Sequence, residues 1–324
     1  MNDMESVHKT VLLQETIDGL NLKNNSVVVD ATFGGGGHSL EILLRNPNTK
    51  VIAIDQDSTV WERVKEKFKG LENRISFTNK NFRDIDKLEN IDPVRSRPLE
   101  HESATITLGR PASNGIDGII FDLGLSSDQL ENSGRGFSFM KDEPLLMQMK
   151  SSAKENPSPE DVTALDVVNT WSEKSLADII YGYGEEKFSR RIAKGIVETR
   201  QKKKIETTTE LVEIISQAVP AAYRRARLHF ATRTFQAIRI AVNDELGSLE
   251  QGLSKGFDAL KIGGRIATIS FHSLEDRIVK RFYKKKVTEG KGKLVNKKII
   301  LADNSEIKNN PRARSAKLRI IEKI

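Results

Sequence analysis

Three short apolar runs in this chain each close on an acid. Ser26-Val27-Val28-Val29 leads to Asp30, Val51-Ile52-Ala53-Ile54 to Asp55, and Gly118-Ile119-Ile120-Phe121 to Asp122. An acid at the end of a buried strand needs a polar reason to be there, which makes Asp122 a candidate ligand contact. After Asp30 comes Gly34-Gly35-Gly36-Gly37-His38. Glycines let the backbone approach a ligand closely and supply positive φ. Asp55 follows Gly35 by 20 residues, the spacing at which an acid accepts hydrogen bonds from both ribose hydroxyls of a nucleotide-like cofactor. The dinucleotide fingerprint G-x-G-x-x-G is broken, because Gly34-x-Gly36 is followed by Ser39 and Gly35-x-Gly37 by Leu40. No G-x-x-x-x-G-K-[ST] loop stands near the turn. A cofactor without pyrophosphate needs neither cradle, and S-adenosylmethionine is the main candidate of that kind. The residues alone reach an adenosine-type cofactor other than NAD or ATP.

The elements that would carry these residues alternate between strand and helix. Leu40, Leu43 and Leu44 give a helical face after the glycine turn, and Trp61 to Phe68 a second helix before a strand at Ile75-Ser76-Phe77. A late strand, Gly263 to Phe271, is entered through a Gly-Gly turn. This alternation predicts an α/β fold with a doubly wound parallel sheet and ligands at the strands' carboxyl ends. From Ser126 to Arg227 the periodicity becomes helical, with Leu176, Ile179 and Ile180 on one face and Phe188, Ile192 and Ile196 on another. Thr207-Thr208-Thr209-Glu210 offers a capping box. Strand patterns resume afterwards. Residues 126–227 are therefore read as a helical domain inserted into an α/β domain of 1–125 and 228–324. Asp92 to Gly115, rich in Pro, Arg, Ser and Gly, reads as an exposed loop.

The 324 residues include no cysteine, which excludes disulfides, Cys-bound metal and any thiolate nucleophile. No apolar run approaches a membrane span. The start, with Asp3 and Glu5, fits neither a signal nor a transit peptide, so a cytoplasmic location is expected. Charge is segregated. Lys187 to Arg233 holds 12 Lys/Arg against 4 Asp/Glu, and Arg277 to the end 16 against 4, so these stretches carry +20 and the remainder −13. That is the footprint of a polyanion binder.

Taken together the motifs resemble the MraW/RsmH family of small-subunit ribosomal RNA cytosine-N4 methyltransferases. The resemblance runs nearly end to end, through His8-Lys-Thr-Val-Leu-Leu13, Asp30-Ala-Thr-Phe-Gly-Gly-Gly-Gly-His-Ser39, Phe121-Asp-Leu-Gly-Leu-Ser-Ser-Asp-Gln-Leu130 and Arg135-Gly-Phe-Ser-Phe-Met140. It continues through Tyr183-Gly-Glu-Glu-Lys-Phe188, Thr232-Arg-Thr-Phe-Gln-Ala-Ile-Arg239, Ile269-Ser-Phe-His-Ser-Leu-Glu-Asp-Arg277 and Asn310-Pro-Arg-Ala-Arg-Ser315. It implies a Rossmann-like methyltransferase sheet with an inserted helical domain. It also implies S-adenosylmethionine held by Gly35, Gly36, Gly37, His38, Asp55, Phe82, Asp122 and Gln129, and a cytosine in the decoding region as substrate, within the small ribosomal subunit.

Methyl transfer to an exocyclic amine is chiefly a matter of positioning and desolvation. The missing cysteine excludes C5 methylation through a thiolate adduct. The Asp/Asn-Pro-Pro-aromatic motif of many amino-methyltransferases is replaced here by Asp122-Leu-Gly-Leu-Ser-Ser127. The catalytic candidates are Asp122, Ser126 and Ser127 near the methyl donor, with His272 and Ser273 flanking the acceptor. Ser126-Ser127 could equally cap a helix, and His272 could equally be structural. Phe137 and Phe139 could stack on a flipped base, although core packing is preferred. RNA contacts are expected from Arg190, Arg191, Lys194, Arg224, Arg225, Arg227, Arg233 and Arg239, with Lys280 to Lys298 as a second basic tail. Arg239 could instead form a structural ion pair. The alternative function is a non-catalytic RNA-binding assembly factor. A monomer and a homodimer remain open.

Overall fold

Runs of β-branched and aromatic residues build a seven-stranded sheet whose central members are buried on both faces, as parallel strands covered by helices must be. The computed structural model describes residues 9–88, 115–150 and 161–324. The first part contains α1 (Leu13–Leu20), β1 (Val27–Asp30), α2 (Gly37–Arg45), β2 (Lys50–Asp55), α3 (Val60–Val64), β3 (Ile75–Asn79) and β4 (Ile116–Asp122). A helical segment follows, with α4 (Ser127–Glu131), α5 (Ala164–Thr170), α6 (Glu173–Gly182), α7 (Ser189–Arg200), α8 (Thr208–Ala218), α9 (Ala221–Arg224) and α10 (Thr232–Asn243). The chain then adds α11 (Glu245–Ala259), β5 (Leu260–Ser270), α12 (Ser273–Thr288), β6 (Gly292–Leu294), α13 (Asn304–Asn309) and β7 (Lys317–Lys323).

The strand order is β3-β2-β1-β4-β5-β7-β6. β1 to β5 run parallel, while β7 is antiparallel to both of its neighbours. Order reverses between β1 and β4, and a ligand crevice opens outside the carboxyl ends of strands at such a point. Alternation along the strands feeds two cores. Val28, Ile120, Ala267 and Ile269 pack with Ile17 and Leu20 of α1 and Ile42 and Leu43 of α2. Val29, Ile119, Phe121 and Ile266 pack on the other face with Leu249, Leu253 and Phe257 of α11 and Val279 and Tyr283 of α12.

By internal contacts the chain forms two compact units, the sheet unit and a helical unit of Leu125–Glu245. The helical unit has its own core, in which Val167, Leu176, Ile180, Ile192, Ile196, Leu211 and Ile215 are fully buried. The capping box at α8 is present: Thr207 accepts from the Glu210 N–H and Glu210 accepts from the Thr207 N–H. The expected boundary at Arg227 falls short, because α10 buries Phe235, Ala237 and Ile238 in this helical core.

Three further expectations change. Gly263, at φ +83°, does not turn the chain into a strand but bulges one. Ile116 pairs with Leu260 and Gly118 with Arg265, so the stretch between Leu260 and Arg265 loops out of register within β5. The helix expected over Trp61 to Phe68 tightens after Val64 into a 3₁₀ turn. The basic tail expected over Lys280 to Lys298 is instead the second half of α12 and β6, and beyond it Leu318, Ile320 and Ile321 are buried in β7 beside β5. The loop expected from Asp92 lies outside the described residues up to Asn114.

Candidate cofactor site

The glycine turn is built so that two of its positions exclude any side chain. Gly36 has φ +72°, and a Cβ there would stand 2.9 Å from the rings of both Phe33 and Phe68. A Cβ on Gly37 would fall 1.8 Å from Thr10 Oγ1. Gly36 N–H donates to the Phe33 carbonyl at 2.8 Å, which places Gly35 inside that tight turn. The turn delivers the chain into α2, whose first residues are Gly37 and His38.

Around it stand the three strand-end acids. Asp30 is fully buried, accepts from Ser39 Oγ at 2.6 Å, and accepts from the Thr32 N–H at 3.3 Å. Burial pushes its carboxyl up to about 6 despite those bonds, and the Asp55 charge adds to the rise. Asp55 accepts the Gly34 N–H at 2.8 Å on one oxygen and the Asp57 N–H at 2.9 Å on the other. Each oxygen keeps a lone pair for a further donor. Burial raises Asp55, and those two N–H bonds oppose the rise.

Asp122 is the most perturbed. Its backbone N–H donates to Thr32 Oγ1 at 2.6 Å, so Thr32 ties β4 to β1 across the reversal of strand order. One carboxyl oxygen lies 3.7 Å from His38 Nδ1. The other, Oδ1, is inaccessible to solvent and has no hydrogen-bond partner among the described residues. Burial holds this carboxyl well above the usual carboxylate range, and the charges of Asp30 and Glu275 push it further. A cluster of buried and half-buried acids, with an oxygen that has no partner among the described residues, suits a ligand that is positively charged and donates hydrogen bonds.

The other expected contacts are distributed unevenly. Phe82, half-buried, meets Phe121 edge-on at 5.5 Å and leans over Gly252, where a Cβ would be 2.7 Å from its ring. Its loop is held by Asn81 and Arg83, which both bond Ser248 on α11. Ser126 and Gln129 belong to the helical unit, where they form the capping box of α4. Ser126 Oγ accepts the Gln129 N–H at 3.1 Å, and Gln129 Oε1 accepts the Ser126 N–H at 3.0 Å. Ser127 is the first residue of α4. His272 caps α12: its Nδ1 accepts the Glu275 N–H at 3.4 Å, and Glu275 Oε2 accepts from Phe271 N–H at 2.8 Å and His272 N–H at 3.2 Å. Ser273 follows it, exposed, as the first residue of α12. The geometry gives both Ser126 and His272 helix-capping work.

The MraW methylase family's sequence profile matches residues 5–324. The chain belongs to the MraW methylase family. Ribosomal RNA small subunit methyltransferase H of Lactobacillus johnsonii is 42% identical over 99% of this chain and 100% of that one. The protein of the same name from Persephonella marina is 43% identical over 98% of this chain and 99% of that one. Among solved structures, an rRNA methylase from Streptococcus thermophilus aligns at a TM-score of 0.42 and 12% identity, over 98% of both chains.

In this methylase the basic residues separate into exposed ones and ones engaged by backbone or acid partners. Arg190, Arg191 and Lys194 are exposed on α7, where Lys194 sits 3.7 Å from Glu198 and Arg191 lies over the Phe188 ring at 5.8 Å. Arg224 donates to Ser216 at 3.2 Å, while Arg225 and Arg227 are exposed. Arg233 donates to the Glu185 carbonyl at 2.7 Å. Arg239 makes a two-bond pair with Glu245, at 2.7 and 2.9 Å, the structural ion pair that the sequence offered as the alternative to an RNA contact. Asn243, on the same face, is consumed by the Met147 carbonyl and the Met149 N–H. The residues that sequence reasoning missed are Ser39 and Thr32, while Glu275, legible as a helix-start acid, also adds its charge to Asp122. Ser39 and Thr32 flank the glycine turn within reach of Asp30, a local signal.

Proposed function

We propose that this methylase transfers a methyl group from S-adenosylmethionine to the exocyclic N4 of a cytosine in the decoding region of small-subunit ribosomal RNA, in the cytoplasm. One observation carries the cofactor assignment: the buried Asp122 Oδ1, without a partner among the described residues, beside Asp30 and Glu275, a site that needs a cation and hydrogen-bond donors. A sulfonium cofactor with a free ammonium group answers both needs, and the names of the two relatives support the RNA. Among the described residues no helix is long and apolar enough to cross a membrane.

Gly35, Gly36, Gly37 and His38 would line the amino-acid end of the cofactor, Asp55 its ribose, and Phe82 its base. When bound, the cofactor would supply an activated methyl carbon and leave as the neutral thioether, with one N4 proton released to water. Asp122 accepts hydrogen bonds at the carboxyl end of β4, and Thr32 fixes the backbone that carries it. Asp30, held by Ser39, keeps the surrounding field negative, which favours the cationic ground state and orients it. N4 of cytosine is a poor nucleophile, so exclusion of water and alignment supply most of the acceleration. Small ribosomal subunits lacking the modification, and separately naked rRNA, are incubated with tritiated S-adenosylmethionine. Label in the subunits supports the reading. No label in either, with the cofactor still bound, favours the assembly-factor alternative.

A further inference from the structure

In the helical unit, three rings stand in series beside an arginine-rich turn. Phe139 stacks on the His229 imidazole at 4.6 Å with planes 9° apart, and His229 stacks on Phe230 at 4.3 Å and 29°. The inner end is anchored in the core, where Phe139 meets the buried Phe235 edge-on at 5.4 Å. His229 Nδ1 accepts the Ala231 N–H at 3.3 Å, which fixes the ring within the turn. Burial lowers the imidazole's affinity for protons.

The surroundings of this series are unusual for a packing device. The adjoining residue on each side is a large apolar side chain left in solvent: Met140, 79% exposed, follows Phe139, and Leu228, 50% exposed, precedes His229. The same turn carries Arg224, Arg225 and Arg227, all exposed. Core packing explains Phe139 and Phe235, and part of Phe230, which is half-buried against the same core. It does not explain why apolar side chains and three guanidinium groups share an exposed turn with stacked rings. Aromatic faces for bases with cations for the backbone is the composition that takes single-stranded nucleic acid, whereas duplex RNA, its bases stacked inside, is held by shape and by 2′-hydroxyl and phosphate contacts.

We infer that Phe139, His229, Phe230, Met140 and Leu228, with Arg225 and Arg227, form a docking platform for unpaired nucleotides of the RNA substrate, a base extending the ring series and phosphates meeting the arginines. The inference rests on the RNA-methylating function proposed above and deepens it by naming where unpaired substrate is gripped.

The test uses the full chain with Phe230→Leu, which keeps apolar volume, and separately with Arg225→Gln and Arg227→Gln combined. Binding of a labelled single-stranded oligoribonucleotide and of a duplex of equal length is measured, together with KM and kcat for small subunits. Phe230→Leu is expected to weaken single-strand binding by about five- to 150-fold, the cost of one base–aromatic stack, with duplex binding and kcat unchanged. The arginine pair weakens both RNAs and flattens the salt dependence. Equal loss on single strand and duplex from Phe230→Leu, or no loss on either, overturns the platform while native methylation of subunits leaves the function standing. If the native protein transfers no methyl group to any RNA, the function fails first and the platform with it.

Discussion

Asp122→Asn moves two measurements in opposite directions. Asp122 Oδ1 is buried without a partner among the described residues, and Asp30 and Glu275 raise the cost of its charge. A folded-state pKa above the unfolded value means the folded protein holds that proton more tightly. Its stabilising contribution is therefore full below the usual carboxylate range and is lost as pH rises through the folded value. At pH 7 the unliganded protein bears that loss, and asparagine removes it, so the variant without ligand melts at a higher temperature. The charge-assisted hydrogen bond to a cationic cofactor disappears at the same time. Such a bond is worth roughly 1.5–3 kcal/mol, so affinity falls by about 10- to 150-fold. Calorimetric titration with S-adenosylmethionine and thermal unfolding of the unliganded protein read the two effects. An affinity within twofold of native, or a lowered melting temperature, would refute the electrostatic account of this site.

Asp30→Asn keeps an acceptor for Ser39 but loses the titration. The native unliganded protein is expected to lose about 3 kcal/mol between pH 4 and pH 7 from a carboxyl raised to about 6, and chemical denaturation across that range should show a flatter profile in the variant. Gly37→Ala places a Cβ 1.8 Å from Thr10 Oγ1, so cofactor affinity should fall along with a stability loss on the order of 1–3 kcal/mol. Lys323 donates to the carbonyls of Phe257, Asp258 and Leu260 at 2.7–3.0 Å. Lys323→Met should cost about 1–3 kcal/mol in denaturant unfolding with cofactor affinity untouched. Neutralising Arg190, Arg191 and Lys194 should reduce the salt slope of RNA binding by about one per cation, whereas Arg239→Ala should lower stability and leave that slope alone.

The parts of this protein legible in its sequence are those encoded by local pattern. Strand ends at Asp30, Asp55 and Asp122 were visible because each β-branched run stops at an acid, and the helical unit because its apolar residues recur at helical spacing. The glycine turn declared itself by composition, and its physical cause, the crowding of Phe33, Phe68 and Thr10 against Gly36 and Gly37, is tertiary. What escaped depends on distant partners. Arg239 is a cation on a helix until Glu245 folds back onto it. Leu318, Ile320 and Ile321 lie among lysines and arginines, so that charge masked a strand whose pairing partner, β5, begins over fifty residues earlier. Gly263-Gly264 has the composition of a turn, and only the register of β4 against β5 makes it a bulge.

The central claim is that N4 of cytosine is the acceptor. The most direct test digests rRNA from small subunits, before and after incubation with the protein and S-adenosylmethionine, to single nucleosides for mass spectrometry against synthetic standards. Appearance of N4-methylcytidine, absent when Asp122→Asn replaces the native protein at limiting cofactor, is the predicted result. A methyl group found on cytosine C5, on another base or on ribose would contradict the account.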